Sequence, residues 1–88
     1  AMTFVVLRPR AIKGLHRTSG EEQVAIKSAI QILEQGSIPL HTRKLGGSPH
    51  GYRTRVGKWR ILFTLENSVA DIADIFIKKE RGDYRRRT

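Results

Sequence analysis

The strongest chemical signal in the sequence is a concentration of cationic side chains between residues 41 and 60. This stretch contains no acid and six basic residues: Arg43, Lys44, Arg53, Arg55, Lys58 and Arg60. Guanidinium groups suit phosphate because their planar fork can donate two parallel hydrogen bonds to its oxygens. A second basic stretch, residues 78–88, has six Lys and Arg against two acids. The pattern indicates a site for a polyanion.

Alternation of residue types predicts that several of these cations share one surface. A two-residue turn at Gly57 and Lys58 would join residues 51–56 and 59–65 into a β-hairpin. One face of this hairpin holds Arg53, Arg55 and Arg60, with Arg55 opposite Arg60. The other, which we expect beneath the helices, holds Tyr52, Thr54, Val56, Trp59, Ile61 and Phe63. Opposed like charges destabilise a strand pair, so the arginine face indicates a functional site.

The arginine face also has a plainer interpretation. Charged residues on a solvent-facing strand commonly protect a sheet from aggregation. The absence of acids between residues 41 and 60 favours an anion site over that alternative. Tyr84 could stack on a base or simply anchor the tail to the sheet, and the local pattern favours the anchor. His50 lies in a segment typical of loops.

Two helices are predicted in the first half of the chain. A proline at the first position suits a helix over residues 9–17. Ser19 and Glu22 have the spacing of a capping box. Behind them, an apolar stripe at i, i+4 and i+7 predicts a second helix over residues 20–35, which Gly36 would end.

The remaining elements are strands and one long loop. Residues 3–7 form a β-rich run, residues 37–50 read as a loop rich in Gly, Pro and Ser, and residues 69–77 are apolar on both faces, which suits a central strand. We therefore predict one α+β domain over residues 1–88. Its two N-terminal helices would pack on one face of a mostly antiparallel four-stranded sheet, in the order β-α-α-β-β-β.

Composition excludes several classes of function. The chain has no cysteine, and its three histidines have no partner at ligand spacing, so we expect no disulfide, metal or other cofactor. No apolar stretch is long enough for a membrane helix or a signal peptide, which predicts a cytoplasmic protein. The net charge of +9 on 88 residues points to a polyanionic partner.

Two motifs resemble those of one known family. Residues 44–63 (KLGGSPHGYRTRVGKWRILF) resemble the K-L-x-G…Y-R-x-R-V-G-x-Y/W-R-I-x-Y core of the RelE/ParE toxin superfamily. Residues 81–85 (RGDYR) resemble its R-G/R-D-x-Y-R ending. The similarity covers nearly the whole chain in order.

The resemblance implies a toxin that an antitoxin holds inactive. RelE-like members enter the ribosomal A site and cleave mRNA, whereas ParE-like members inhibit DNA gyrase. In the nuclease branch the active site is formed by residues that match Arg53, Arg55, Arg60, Arg81 and Tyr84. We expect the RNA to contact the flanking basic side chains of Arg43, Lys44, His50, Lys58, Lys79 and Arg85.

The implied reaction is attack of a 2′-hydroxyl on the adjacent phosphate. It requires a base for that hydroxyl, cations for the developing charge and an acid for the 5′-oxygen. Arginine replaces the lysine of the best-known family pattern at the strand positions, and a guanidinium is a poor base. Tyr84 and His50 are the candidate bases. We expect a ribosome-dependent mRNA endoribonuclease, with a gyrase inhibitor or a non-catalytic nucleic-acid-binding module as alternatives.

Overall fold

A strand leads into two helices, and the four strands that follow complete one sheet. The computed structural model describes residues 2–78. Its elements in chain order are β1 (Phe4–Leu7), α1 (Pro9–His16), α2 (Gly20–Glu34), β2 (Thr42–Lys44), β3 (Gly51–Val56), β4 (Trp59–Glu66) and β5 (Val69–Ile77).

The sheet has the order β1-β5-β4-β3-β2. Strand β1 runs parallel to β5, and the other three pairings are antiparallel. The α+β class and the helix pair are confirmed. So is the central position of β5, which lies between β1 and β4 because it offers an apolar side chain to either face.

The sheet has five strands where the sequence predicted four. The additional strand, β2, lies within the segment 37–50 that we expected to be a loop. It is three residues long, two of them charged, so it carries no readable alternation. Strand β2 forms because it pairs with the edge of β3. Thr42 stabilises this pairing: its Oγ1 lies 2.7 Å from Thr54 Oγ1 and donates to Pro39 O, also at 2.7 Å.

The start of α2 differs from the capping box that we predicted. Ser19 occupies the N-cap position, but its side chain makes no capping hydrogen bond. Glu22 instead lies near Lys58, with 3.5 Å between Oε2 and Nζ. The corner between the helices is held by Thr18 Oγ1, which donates to Leu15 O at 2.6 Å, and by Gln23 Nε2, which donates to Thr18 O at 3.1 Å.

The end of α2 and the core face of the hairpin match the sequence predictions. Gly36 N donates to Leu33 O at 2.9 Å, and Ser37 N donates to Ile32 O at 3.1 Å. This pair of hydrogen bonds is typical of a helix that ends at a glycine. The core joins Ile26, Ala29, Ile30 and Leu33 of α2 to sheet residues that include Trp59, Ile61 and Phe63. Trp59 is only 2% exposed.

Helix α1 packs along the part of β5 that lies beyond its pairing with β1. That pairing ends at Ile72. A Cβ at Gly14 of α1 would meet the carbonyl oxygen of Ile75 at 1.9 Å, so the helix lies directly against the strand backbone. Only glycine permits this approach. Within residues 2–78, neither helix is long and apolar enough to cross a membrane.

The Gly14 contact predicts an effect opposite to helix propensity. Alanine is the better helix former by about 1 kcal/mol, so Gly14→Ala would stabilise α1 alone. In the folded protein we expect it to lower the free energy of unfolding by about 2 kcal/mol, because the clash is with backbone. Urea denaturation followed by Trp59 fluorescence measures this.

Gly46→Ala is the matched control for this variant. A Cβ at Gly46 would have nothing within 4 Å, so its free energy of unfolding should stay within about 0.5 kcal/mol of the parent. An unchanged denaturation midpoint for Gly14→Ala would contradict the close packing of α1 on β5.

Candidate functional site

The β3–β4 hairpin has the predicted register. Val56 pairs with Trp59 and Arg55 with Arg60 across a turn in which Gly57 has a φ of 59°. This positive φ is accessible to glycine without strain. The core residues on one face therefore fix Arg53, Arg55 and Arg60 on the other, since neighbouring residues of a strand point to opposite faces.

Strand β2 adds a fourth arginine to this surface. Arg43 pairs with Arg53, just as Arg55 pairs with Arg60. We call Arg43, Arg53, Arg55 and Arg60 the arginine cluster. It consists of two opposed like-charge pairs on three adjacent strands, an arrangement that costs folding free energy unless an anion is bound.

The arginine cluster lines a cavity of about 310 Å³. Among residues 2–78, the side chains that line it are those of the four arginines, His41 and Lys78. No acid lies in this part of its wall. The volume and the cationic wall suit a phosphate group and its attached sugar.

Arg60 is the most buried member of the cluster. It is 8% exposed, and its Nη1 donates to Gly57 O at 3.0 Å and to Trp59 O at 2.9 Å. Burial and the charges of Arg53 and Arg55 lower the pKa of Arg60, although a guanidinium remains protonated at neutral pH. Within residues 2–78, both of these guanidinium hydrogen bonds are made by Nη1.

His41 is a cavity residue that sequence reasoning did not select. Its backbone is left-handed, with a φ of 62°. Its carbonyl accepts from Arg55 N at 3.0 Å, and its Nδ1 lies 3.3 Å from Arg55 Nη2. Because His41 precedes a strand that has no readable period, no spacing signal in the sequence places it here.

Helix α1 contributes a second set of cations beside the cluster. Arg10, Lys13 and Arg17 line a cavity of about 870 Å³ that also reaches Arg53. Asp74 is in its wall too, with Oδ2 3.8 Å from Arg10 Nη1. These cations lie outside the two basic stretches that stand out in the sequence, residues 41–60 and 78–88. We call Arg10, Lys13 and Arg17 the α1 row. Their spacing at i, i+3 and i+7, which puts them on one face of a helix, is the sequence signal that could have revealed them.

Three of the predicted RNA-binding residues lie outside both cavities. Lys44 pairs with Tyr52, so it lies on the opposite face from Arg43. His50 has its Nε2 3.6 Å from Glu66 Oε2, and Lys58 lies near Glu22 of α2. The structure thus brings Arg43 to the cluster and leaves these three apart from it.

The other predicted residues are in the C-terminal segment. Lys79, Arg81, Tyr84 and Arg85 lie outside the described residues. Among residues 2–78, no group of three or more His, Cys, Asp or Glu side chains is placed to hold a metal ion.

The fold is that of the RelE toxins. The chain is similar to a chain of the RelE–RelB complex from Pyrococcus horikoshii, with a TM-score of 0.75, 20% sequence identity, and coverage of 88% of this chain and 96% of that one. It is also similar to a chain of the RelB–RelE complex from Methanococcus jannaschii, with a TM-score of 0.75 and 23% sequence identity. That match covers 90% of this chain and 96% of the other. A third similar structure is the YoeB dimer from Staphylococcus aureus, with a TM-score of 0.70 and 15% sequence identity. That match covers 91% of this chain and 99% of the other.

These similarities confirm the RelE-like fold that the resemblance implied. No protein-family model matches the chain, and no curated protein sequence matches it. The likeness is therefore carried by the backbone, at identities of 15–23% in the three structures above.

The opposed arginine pairs predict a measurable electrostatic penalty. Arg55→Gln should raise the free energy of unfolding by a few tenths of a kcal/mol at low ionic strength, because it relieves repulsion from Arg60. The gain should disappear at about 1 M salt, where the Debye length is about 3 Å. Urea denaturation at both salt concentrations measures the difference.

Lys44→Gln is the control, because it removes one charge from the opposite face of β2. It should show much less stabilisation. If Arg55→Gln were no more stable than Lys44→Gln at low salt, the cluster would carry no net repulsion.

Proposed function

We propose that this protein is the toxin of a type II toxin–antitoxin system, and that it cleaves mRNA on the ribosome. The observation that carries the proposal is the cavity lined by two opposed arginine pairs on a RelE-like fold. A phosphodiester is the class of ligand whose negative charge compensates the positive charge of these arginines. The cytoplasm, where ribosomes translate mRNA, is the proposed site of action.

The proposed chemistry is attack of a ribose 2′-hydroxyl on its own 3′-phosphate. Charge develops on the phosphate oxygens, and donors already held in place stabilise it without reorganisation. Arg60 meets this requirement best because two backbone carbonyls fix its guanidinium. Arg53 and Arg55 add charge on the adjacent strand.

Flanking contacts with RNA involve Arg43 of the cluster and cations beyond it in this proposal. Arg43 binds the RNA backbone beside Arg53, and the α1 row of Arg10, Lys13 and Arg17 contacts neighbouring phosphates through the second cavity. Lys44, His50 and Lys58 would contact the ribosome at a distance from the cleaved bond. The predicted contributions of the C-terminal segment are the charges of Lys79, Arg81 and Arg85 and the hydroxyl of Tyr84.

An antitoxin is the proposed protein partner. Two of the three similar structures described above are complexes of RelE with RelB. Covering the arginine cluster buries clustered positive charge, and that requires compensating charge from the partner. An acidic or amphipathic segment of the antitoxin would supply it.

The role of Arg60 predicts a separation between cleavage and binding. Arg60→Ala should lower the single-turnover cleavage rate on programmed ribosomes by about 10²–10³-fold, because it removes one fixed donor to the transition state. Ribosome affinity should change much less, with a salt slope reduced by about one unit. Arg60→Lys should recover only part of the rate, since a point charge does not reproduce the planar fork.

Lys27→Ala is the control for charge, since this exposed residue of α2 lies outside both cavities. It should cleave at the parental rate. Cleavage by Arg60→Ala at that rate would remove Arg60 from the reaction. A parent that does not cleave but inhibits gyrase supercoiling would favour the gyrase-inhibitor alternative. A parent that does neither and still binds RNA would be a nucleic-acid-binding module.

The antitoxin contact predicts a strong dependence on salt. The dissociation constant of the purified toxin–antitoxin complex should rise between about 0.05 M and 0.5 M salt, because the Debye length shortens over this range. Arg43→Gln combined with Arg55→Gln should flatten that dependence. An affinity that is the same at both salt concentrations would show that the arginine cluster is not the main contact.

A further inference from the structure

We propose that His41 accepts the proton of the attacking 2′-hydroxyl, a role that rests on the proposed nuclease function. His41 lines the same cavity as the arginine cluster, and its Nδ1 lies 3.3 Å from Arg55 Nη2. The proposal assigns a base to a cavity whose other lining residues, among those described, are all cationic.

The composition of the cavity wall singles out this residue. Among the described lining residues, the other five are arginines and a lysine: Arg43, Arg53, Arg55, Arg60 and Lys78. Arginine does not lose its proton in proteins, and lysine ordinarily does so only at high pH. Imidazole is the side chain that exchanges a proton near neutral pH. Within residues 2–78, His41 is therefore the only lining side chain suited to general base catalysis.

Strand pairing fixes the backbone of His41 beside the cavity. Arg55 N donates to the carbonyl of His41 at 3.0 Å, which extends the β2–β3 pairing by one residue beyond Thr42. The φ of 62° then turns the chain sharply before the strand begins. Histidine adopts this conformation more readily than most residues other than glycine, as asparagine and aspartate do.

The contact with Arg55 determines which ring nitrogen is free. A guanidinium only donates, so Nδ1 of His41 accepts from Arg55 Nη2 across 3.3 Å and the imidazole proton lies on Nε2. In the free protein Arg55 therefore covers the basic lone pair. A phosphate that enters the cavity competes for the guanidinium of Arg55 and exposes Nδ1. Substrate binding and activation of the base are coupled in this way.

The proton transfer balances without a further reagent. The 2′-oxygen forms its bond to phosphorus while the 2′-proton passes to Nδ1 of His41. The bond between phosphorus and the 5′-oxygen breaks, and water supplies the proton that the 5′-oxygen takes up. The products are a 2′,3′-cyclic phosphate and a 5′-hydroxyl, and the imidazolium returns its proton to solvent.

His41→Asn is the sharpest test of this role. Asparagine tolerates the left-handed backbone and offers an amide oxygen to Arg55, but it does not take up a proton. We expect single-turnover cleavage on programmed ribosomes to fall by about 10²-fold or more, the scale of general base catalysis. Ribosome binding should stay unchanged, and the rise of rate with pH in the acidic range should disappear.

His41→Gly provides a second variant, since glycine adopts the same φ without strain. It should lose a similar factor in rate, and added imidazole should restore part of it. His16→Asn is the matched control, because His16 is an exposed histidine at the end of α1 and lines neither cavity. This control should cleave at the parental rate with the parental pH profile.

The outcomes distinguish this proposal from the nuclease assignment. If the parent cleaves and both His41 variants cleave at its rate, the base lies elsewhere, with Tyr84 next to test, while the nuclease function stands. If the variants are slow but keep the acidic limb of the pH profile, His41 positions Arg55 and is not the base. If the parent itself does not cleave, both proposals fail.

Discussion

The rest of the structure depends on the burial of one face of the β3–β4 hairpin. Trp59, Ile61 and Phe63 are at most 2% exposed beneath α2, and each such side chain contributes roughly 1.5–3 kcal/mol when buried. This contribution is large beside the few tenths of a kcal/mol by which two opposed arginines repel. Packing on one face therefore holds a repulsive arrangement of charge on the other.

The arginines of the cluster differ in their hydrogen-bond partners, and these partners matter as much as the shared positive charge. Arg60 donates to two backbone carbonyls, so its orientation is set before any ligand arrives. Among the described side chains, the His41 imidazole is the hydrogen-bond partner of Arg55, and both residues are exposed, so a ligand can compete for this guanidinium. One fixed and one exchangeable guanidinium on paired strands suit a site that must both orient a phosphate and respond to it.

Two short-range contacts enlarge the site beyond the hairpin. The pairing of β2 with β3 adds Arg43 and His41 from a segment whose composition is typical of a loop. The close approach of Gly14 to the backbone of β5 brings the basic row of α1 beside Arg53. The first depends on the free edge of β3 and the second on a strand far along the chain, so local pattern could not predict either.

The sequence by itself determined the two helices, the hairpin register and the shared face of Arg53, Arg55 and Arg60. These features follow from periods of 3.6 and 2 and from one turn, all of which act over a few residues. Tertiary structure alone decided the fifth strand and the position of His41 beside the cluster. It also decided that Glu22 lies near Lys58 instead of making the predicted capping contact. The physical reason is that a three-residue edge strand and an exposed ion pair have little preference of their own, so they form only where a distant surface offers them a partner.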